Sequence, residues 1–393
     1  MTSPIVIAGG GPVGMCLALR LFQSGRDCVV LEAKAQGAYY QDHRALALSQ
    51  ASKLMLENLD VWSRIPAVTP INSIHVSQKG SFGRSVLRAS DYDMAALGYV
   101  LSYGHLMQAI DQVLSEYADK SQAAKITIHY DTEVQQIIPK NRNTELHIQQ
   151  GGQAQTLTTA LAVLADGGRS LKDIPGIERI NKEYGHHALV CKVAAELAHD
   201  GIAYERFTPM GPVALLPNGE REFSLVWTGE TAGIEPLLEL SDDVFLAQLH
   251  QHFGDRVGRF TQVQKRICFP LKLSYLSPVT APHLVVIGNA AQTMHPVAGQ
   301  GFNVGLRDAW ELAELIMQTD EVNLGAASFL QTYQASRQQD TQRGLKFTDF
   351  LVRFFSNDIA GLGGIRSLGL GLFDALTPAK AHLIRKMSFG SKG

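Results

Sequence analysis

Gly9, Gly11 and Gly14 form a GxGxxG directly after the apolar run IVIA, and Glu32 closes the next apolar run, CVVLE, 18 residues beyond Gly14. Each residue type suits one task in holding a dinucleotide. The first glycine allows a tight turn, the second lets a pyrophosphate approach the backbone, and the third brings a helix against its strand. The acid then accepts hydrogen bonds from a ribose diol. A carboxylate there would also repel a 2′-phosphate. The motif does not choose between FAD and NAD, and its bland alternative is a glycine-rich turn without a ligand.

Two later runs share the strand-then-turn design. LAVLADGGRS (161–170) is an apolar strand ending at Asp166-Gly167, and GNAAQTMHPVAGQGFNVGLRDA (288–309) follows the strand HLVVI. A glycine-rich loop opening into a helix presents N–H groups that lack internal partners and carry positive partial charge, which suits an anionic or oxygen-rich ligand. Gly301, Phe302 and Asn303 precede the helical pattern VGLRDAWELAELIMQ, and Asn303 reads as its N-cap. Capping alone is the competing explanation. Arg307 and Asp308, on that helix, read as structural contacts.

Other chemistry finds little support. The pairs His186/His187 and His250/His252 fall outside any HExxH frame, so no metal site is expected. No nucleophile elbow is present, and no side chain stands out as a catalytic acid or base.

Positioning these turns requires particular elements. PIVIAGGGPVGMCLALRLFQSGRDCVVLEA reads as a βαβ unit, 42–60 as a loop and a helix, and 104–119 as a second helix. KITIHYDTEVQQIIP, TELHIQQ and QTLTTALAVLADG read as strands joined by hairpins. Short alternating segments fill 71–100 and 181–280. The simplest organisation is α/β: a discontinuous nucleotide-binding domain (1–70, 101–180 and 281–340), a sheet domain built from the inserts 71–100 and 181–280, and a helical tail, 341–393.

The whole chain sets the limits. With 393 residues a sizeable core is available. Lys plus Arg number 35 against 37 Asp plus Glu, a net charge of −2, so no global field recruits nucleic acid. Four cysteines without CxxC spacing suit buried thiols in a reducing compartment, and the N-terminus has no export signal, so the expected location is the cytoplasm. The tail carries eight Lys and Arg against three Asp. Basic and apolar, it reads either as a surface for the inner membrane or a partner, or as a helix packed on the body.

The three fingerprints GxGxxG, Asp166-Gly167 and the 288–309 run resemble, in order and spacing, those of flavoprotein aromatic hydroxylases of the para-hydroxybenzoate hydroxylase type. DHRALALS (42–49), ERFTPMGPVALLP (205–217) and FSLVW (223–227) narrow the resemblance to the ubiquinone-biosynthesis hydroxylases, closest to the 2-octaprenyl-6-methoxyphenol hydroxylase branch. Asn289 stands where most of the wider group has Asp, a departure shared by that branch.

The resemblance implies a Rossmann-type FAD-binding domain with an inserted antiparallel β-sheet substrate domain and a helical C-terminal tail. Gly9, Gly11 and Gly14 would hold the FAD pyrophosphate and Glu32 the adenosine ribose. Arg44 would lie near the phosphates, with Asp166 and Gly167 beside the pyrophosphate. Asn289 would reach the ribityl chain, since a carboxamide offers an acceptor and two donors to a polyol. Ala298, Gly299, Gly301, Phe302 and Asn303 would face the flavin, with Pro296 and Gln300 near the substrate cavity. His105 would be a further cofactor contact.

The implied activity is an FAD-dependent, NAD(P)H-consuming monooxygenase that hydroxylates a polyprenylated methoxyphenol with O2 through a C4a-hydroperoxyflavin. A ubiquinone-biosynthesis protein complex is an implied partner. Hydroxylation of another ring position or another phenol, and a flavin-binding assembly subunit without turnover, are the alternatives. Phe207, Phe223, Trp227 and Phe269 are candidates for the apolar surface covering a prenyl tail, against an ordinary place in a sheet core.

Overall fold

The computed structural model describes residues 5–80, 84–118, 124–171, 174–293, 300–338 and 377–389. Four short runs rich in Val, Ile and Leu form its parallel centre: β1 (Ile5–Ala8), β2 (Cys28–Leu31), β12 (Ala162–Leu164) and β20 (Leu284–Val286). With β8 (Ile126–His129) and β19 (Thr280–Ala281) they make a six-stranded sheet ordered β19-β20-β12-β1-β2-β8. Strands apolar at every position need cover on both faces. One face, through Ile5, Ile7, Val30, Val163 and Val285, packs on helices α1 (Pro12–Gln23), α3 (Tyr103–Ala118) and α6 (Gln300–Met317). The alternate residues Val6, Ala8, Leu31, Leu164 and Val286 pack under Ile137, Leu146 and Ile148 of a three-stranded meander. That meander is β9 (Thr132–Pro139), β10 (Thr144–Gln150) and β11 (Gln153–Thr159).

A second three-stranded sheet is ordered β3-β7-β4, from Ala45–Leu48, Gly98–Ser102 and Thr69–Ile71. Two expectations change here. ALAL at 45–48 is a strand rather than a loop, with helix α2 (Gln50–Asn58) starting after Ser49, whose side chain caps it. Gly98–Ser102, read with the first insert, pairs with β3 and β4 instead of joining the larger sheet.

The largest sheet combines both inserts. β5 (Ser73–Gln78) and β6 (Arg84–Arg88) join β13 (Glu178–Ala195), β14 (Ile202–Thr208), β15 (Gly211–Asn218), β16 (Glu222–Glu230), β17 (Phe260–Val263), β18 (Ile267–Ser277) and β21 (Gln292–Thr293). All its pairs are antiparallel except β14 with β5, which run parallel. Between β16 and β17 lie the one-turn helix α4 (Thr231–Ile234) and α5 (Asp242–Phe253). Phe245, Leu249 and Phe253 of α5 bury one face of the sheet, made by Leu189, Val213, Phe223, Leu225 and Trp227.

Helix α7 covers 327–338, and α8 (Thr377–Phe389) ends the described chain. Lys380, Ile384 and Ser388, spaced four apart on α8, are buried, and the helix lies against α2. This described part of the tail therefore packs on the body, while 341–376 lies outside the described residues. Among the described residues no helix is long and apolar enough to cross a membrane, and no cluster of three His, Cys, Asp or Glu could hold a metal.

Candidate active site

Parallel pairing of β20, β12, β1 and β2 brings the turns that follow them to one edge of the sheet. Ligands of open α/β sheets bind at such carboxyl edges. Gly9 has φ +118°, and a Cβ there would lie 2.6 Å from the backbone of Ala165 and Asp166. The first turn is thus wedged against the second. A Cβ on Gly14 would lie 2.1 Å from the Gly9 carbonyl oxygen, so α1 sits directly on its strand. Gly11 has ordinary backbone angles as the N-cap of α1, without a side-chain cap. Its contribution is room, since the nearest atom to a Cβ would be Tyr103 Oη at 3.4 Å.

Glu32 is buried and fully engaged. One carboxylate oxygen accepts from Gly10 N at 2.7 Å, and the other accepts from Lys34 N at 2.9 Å and Tyr39 Oη at 3.0 Å. Burial, and then the Glu32 charge, push the Tyr39 hydroxyl up to about 12, so it remains a donor. Tyr39 packs against Tyr103, with ring centroids 5.5 Å apart, and the Arg44 guanidinium lies over Tyr103 at 4.8 Å. Arg44 also pairs with Asp42 at 2.5 Å. Burial raises the Asp42 carboxyl, but its hydrogen bonds from Arg44 outweigh this and hold it below the usual carboxylate range. The tyrosine pair beside the glycine turn carries no motif and was not expected.

Asp166 folds onto its own turn, with one oxygen accepting from Gly168 N at 2.8 Å and the other from Ser170 N at 2.8 Å and from Ser170 Oγ. Gly167 and Gly168 follow with φ of +76° and +88°. Asn289 is exposed in the 3-10 turn Gly288–Ala290, and its carboxamide has no hydrogen bond among the described residues. Arg179 ties the two turns together, because its Nη2 reaches the Ala290 carbonyl at 3.5 Å and would be 2.9 Å from a Cβ on Gly168. Beneath them Asp308 of α6 accepts from Gly288 N and Gln292 Nε2, both at 3.0 Å, and pairs with Arg337 of α7 at 2.7 Å. Burial pushes the Asp308 carboxyl up against the pull of Arg337. The expected structural role of Asp308 thus has a definite target, the turn that carries Asn289.

Helix α6 starts at Gln300, four residues earlier than expected, so Asn303 is not its N-cap. The buried Asn303 carboxamide accepts from Ser49 N at 2.8 Å and Ser52 Oγ at 2.7 Å and donates to the Ala47 carbonyl at 2.9 Å. It clamps α6 to β3 and α2. Around Gly301 a Cβ would meet nothing within 4 Å, and Phe302 packs against the core. Pro296, Ala298 and Gly299, and the Gln300 side chain, lie outside the described residues. At the start of α3 the His105 N–H donates to Ser102 Oγ, while its Nδ1 is buried without a partner.

The FAD binding domain family matches residues 2–348. The chain belongs to this family. Among relatives of this FAD-binding chain, the ubiquinone hydroxylase UbiL of Rhodospirillum rubrum is 33% identical, covering 97% of this chain and 88% of its own. The 3-demethoxyubiquinol 3-hydroxylase of Escherichia coli is 29% identical over 93% of both chains. In fold the chain is similar to p-nitrophenol 4-monooxygenase PnpA from Pseudomonas putida DLL-E4, with a TM-score of 0.79, 15% identity and 99% of both chains covered.

An FAD of this family needs open backbone over the first turn and over the start of α6, and the space at Gly11 and Gly301 provides both. The start of α1, which no side chain caps, offers N–H donors to phosphate. The unused carboxamide of Asn289 and the orphan His105 Nδ1 are polar atoms suited to a cofactor. The residues present fit FAD.

The four aromatic candidates divide by face. Phe223 and Trp227 are sheet core beneath α5. Alternation puts Phe207 and Phe269 on the opposite face. That face meets β4 and β7, where Ala203 packs on Ile71 and Val100, and α6, where Leu273 packs on Val304.

Proposed function

We propose that this protein is an FAD-dependent, NAD(P)H-consuming monooxygenase that hydroxylates a polyprenylated methoxyphenol ring on the way to ubiquinone. The observation that carries the reading is nearly full-length similarity to a ubiquinone hydroxylase, at 33% identity over 97% of the chain. Gly9, Gly11, Gly14 and Asp166 with Gly167 would hold the FAD pyrophosphate, Glu32 the adenosine ribose, and Asn289 the ribityl chain. Arg44 and His105 would line the same groove. Gly301, Phe302 and the Asn303 backbone would present the start of α6, with Pro296, Ala298, Gly299 and Gln300 between flavin and substrate. Reduced FAD supplies the electrons that activate O2 for insertion into an electron-rich ring.

The chain's own residues orient and enclose. The tyrosine pair and Arg44 wall the adenosine side, the Asp308–Arg337 pair fixes the turn of Asn289, and the large sheet covers the ring and its tail. In this reading residues 1–70, 101–180 and 281–340 form the FAD-binding unit, and 71–100 with 181–280 form the substrate unit. The protein works in the cytoplasm against the inner membrane, from which a polyprenyl substrate must come. The test is the quinone profile of a deletion strain. Accumulated 2-polyprenyl-6-methoxyphenol is the expected result, and unchanged ubiquinone would overturn the reading.

A further inference from the structure

The inner face of the largest sheet, opposite α5, carries a central row that is apolar at all but one position. Strand register sets Val76, Glu205, Ala214, Val226, Val190 and Ile267 in one row across six strands. Glu205 is the single charged residue in it. The rows on either side are more tightly closed, with Ala203 and Phe207 flanking Glu205 on its own strand, both buried. Glu205, Ala214, Val226 and Val190 are all half-buried. The row lies on the face that meets β4 and β7 through Ala203 and α6 through Leu273.

Two polar groups lie on this face of β14 and β5. No hydrogen bond to the Glu205 carboxyl is found among the described residues, and burial pushes it up to about 7. Gln78, paired with Phe207 in the β14–β5 register, lies on the same face. It is 8% exposed, and its Oε1 has no partner among the described residues. A carboxylate without a donor suits a ligand that brings one, and an aromatic ring bearing an O–H brings one such donor to an apolar surface.

We propose that Glu205 is the catalytic base of the hydroxylation, receiving the phenolic proton of the substrate. The inference rests on the monooxygenase reading above. The phenolic O–H bond breaks, the proton binds a Glu205 carboxylate oxygen, and the electron pair stays on the phenol oxygen. Electron density at the ring carbons ortho and para to it rises where oxygen is inserted. The step itself transfers no electrons, and the proton leaves to solvent after turnover.

The test uses the FAD-loaded full chain, NAD(P)H, O2 and 2-methoxyphenol carrying a short prenyl tail. Wild-type kcat/KM should rise with pH through about 7, because the base must be ionised. Glu205→Gln should lose that limb and form at least 100-fold less hydroxylated product, within the range for general base catalysis. Glu205→Asp should keep the limb at a lower rate. FAD content, read from absorbance, should equal wild type in both variants, which separates a lost base from a lost fold. A Glu205→Gln holoenzyme with the wild-type rate and pH profile would overturn this proposal and leave the monooxygenase reading standing. A variant that cannot be loaded with FAD would show Glu205 to be structural and would also overturn it. Wild-type holoenzyme that hydroxylates no phenol would overturn both.

Discussion

The Asp308 carboxylate accepts a hydrogen bond from the backbone N–H of Gly288 at 3.0 Å, twenty residues back along the chain. A helix thereby grips the turn that displays Asn289, and Arg337 from the next helix closes the grip at 2.7 Å. Asp308→Ala leaves the buried Arg337 without its main charge partner, a change that typically costs about 3–5 kcal/mol. Thermal unfolding should report that loss, and FAD should dissociate faster from any folded fraction. Unchanged stability would mean that the pair does not hold the turn.

Gly9 and Gly11 should respond differently to substitution. Gly9→Ala puts a Cβ 2.6 Å from the Ala165–Asp166 backbone at φ +118°, and strain of about 1–3 kcal/mol is expected from the dihedral alone. Gly11→Val meets only Tyr103, so the fold should survive while the pyrophosphate is excluded. Circular dichroism and flavin absorbance separate the two. A stoichiometrically yellow Gly11→Val protein would contradict the placement of FAD.

The two faces of the largest sheet predict opposite outcomes for two phenylalanines. Phe223 is fully buried beneath α5, and Phe223→Ala should cost about 3–5 kcal/mol in denaturant titrations. Phe269, 38% exposed on the inner face, should cost under about 1 kcal/mol when cut to alanine. It should instead raise KM for a prenylated substrate more than for an unprenylated one.

His252 sets an acid limit on stability. Burial, then Lys79 and Arg206, depress its ring from the usual 6.5 to about 4, and it packs edge-on against Trp227 at 4.7 Å. The folded state thus disfavours the proton that the unfolded chain takes up near 6.5. Stability from this group is complete above that value and declines as pH falls toward 4. His252→Phe should flatten the drop in Tm over that window, and an equal slope in both proteins would assign it to other groups.

Much of the cradle was legible because glycine leaves a mark in sequence. Gly9, Asp166 and Gly288 all lie at strand ends that apolar runs announce, and Gly14 opens the helix that follows the first. Asn303 was misread because capping propensity is local, whereas the bonds it makes reach back to Ala47, Ser49 and Ser52, about 250 residues away. The Arg179 bridge and the Tyr39–Tyr103 pair left no trace for the same reason, since their meaning arises only once distant turns converge. Phe223 and Phe207 are equally apolar letters, and only register tells which face each occupies.

The β5–β14 pair joins Ser77 to Arg206 across 129 positions, and the FAD groove needs both the first turn and Asp308. A nascent chain therefore cannot complete either wall until most of it has left the ribosome, and contacts so distant in sequence form slowly. An N-terminal fragment ending before Asp308 would present the Gly288 turn without the carboxylate that braces it. On the FAD placement proposed above, cofactor capture is thus a late event of synthesis.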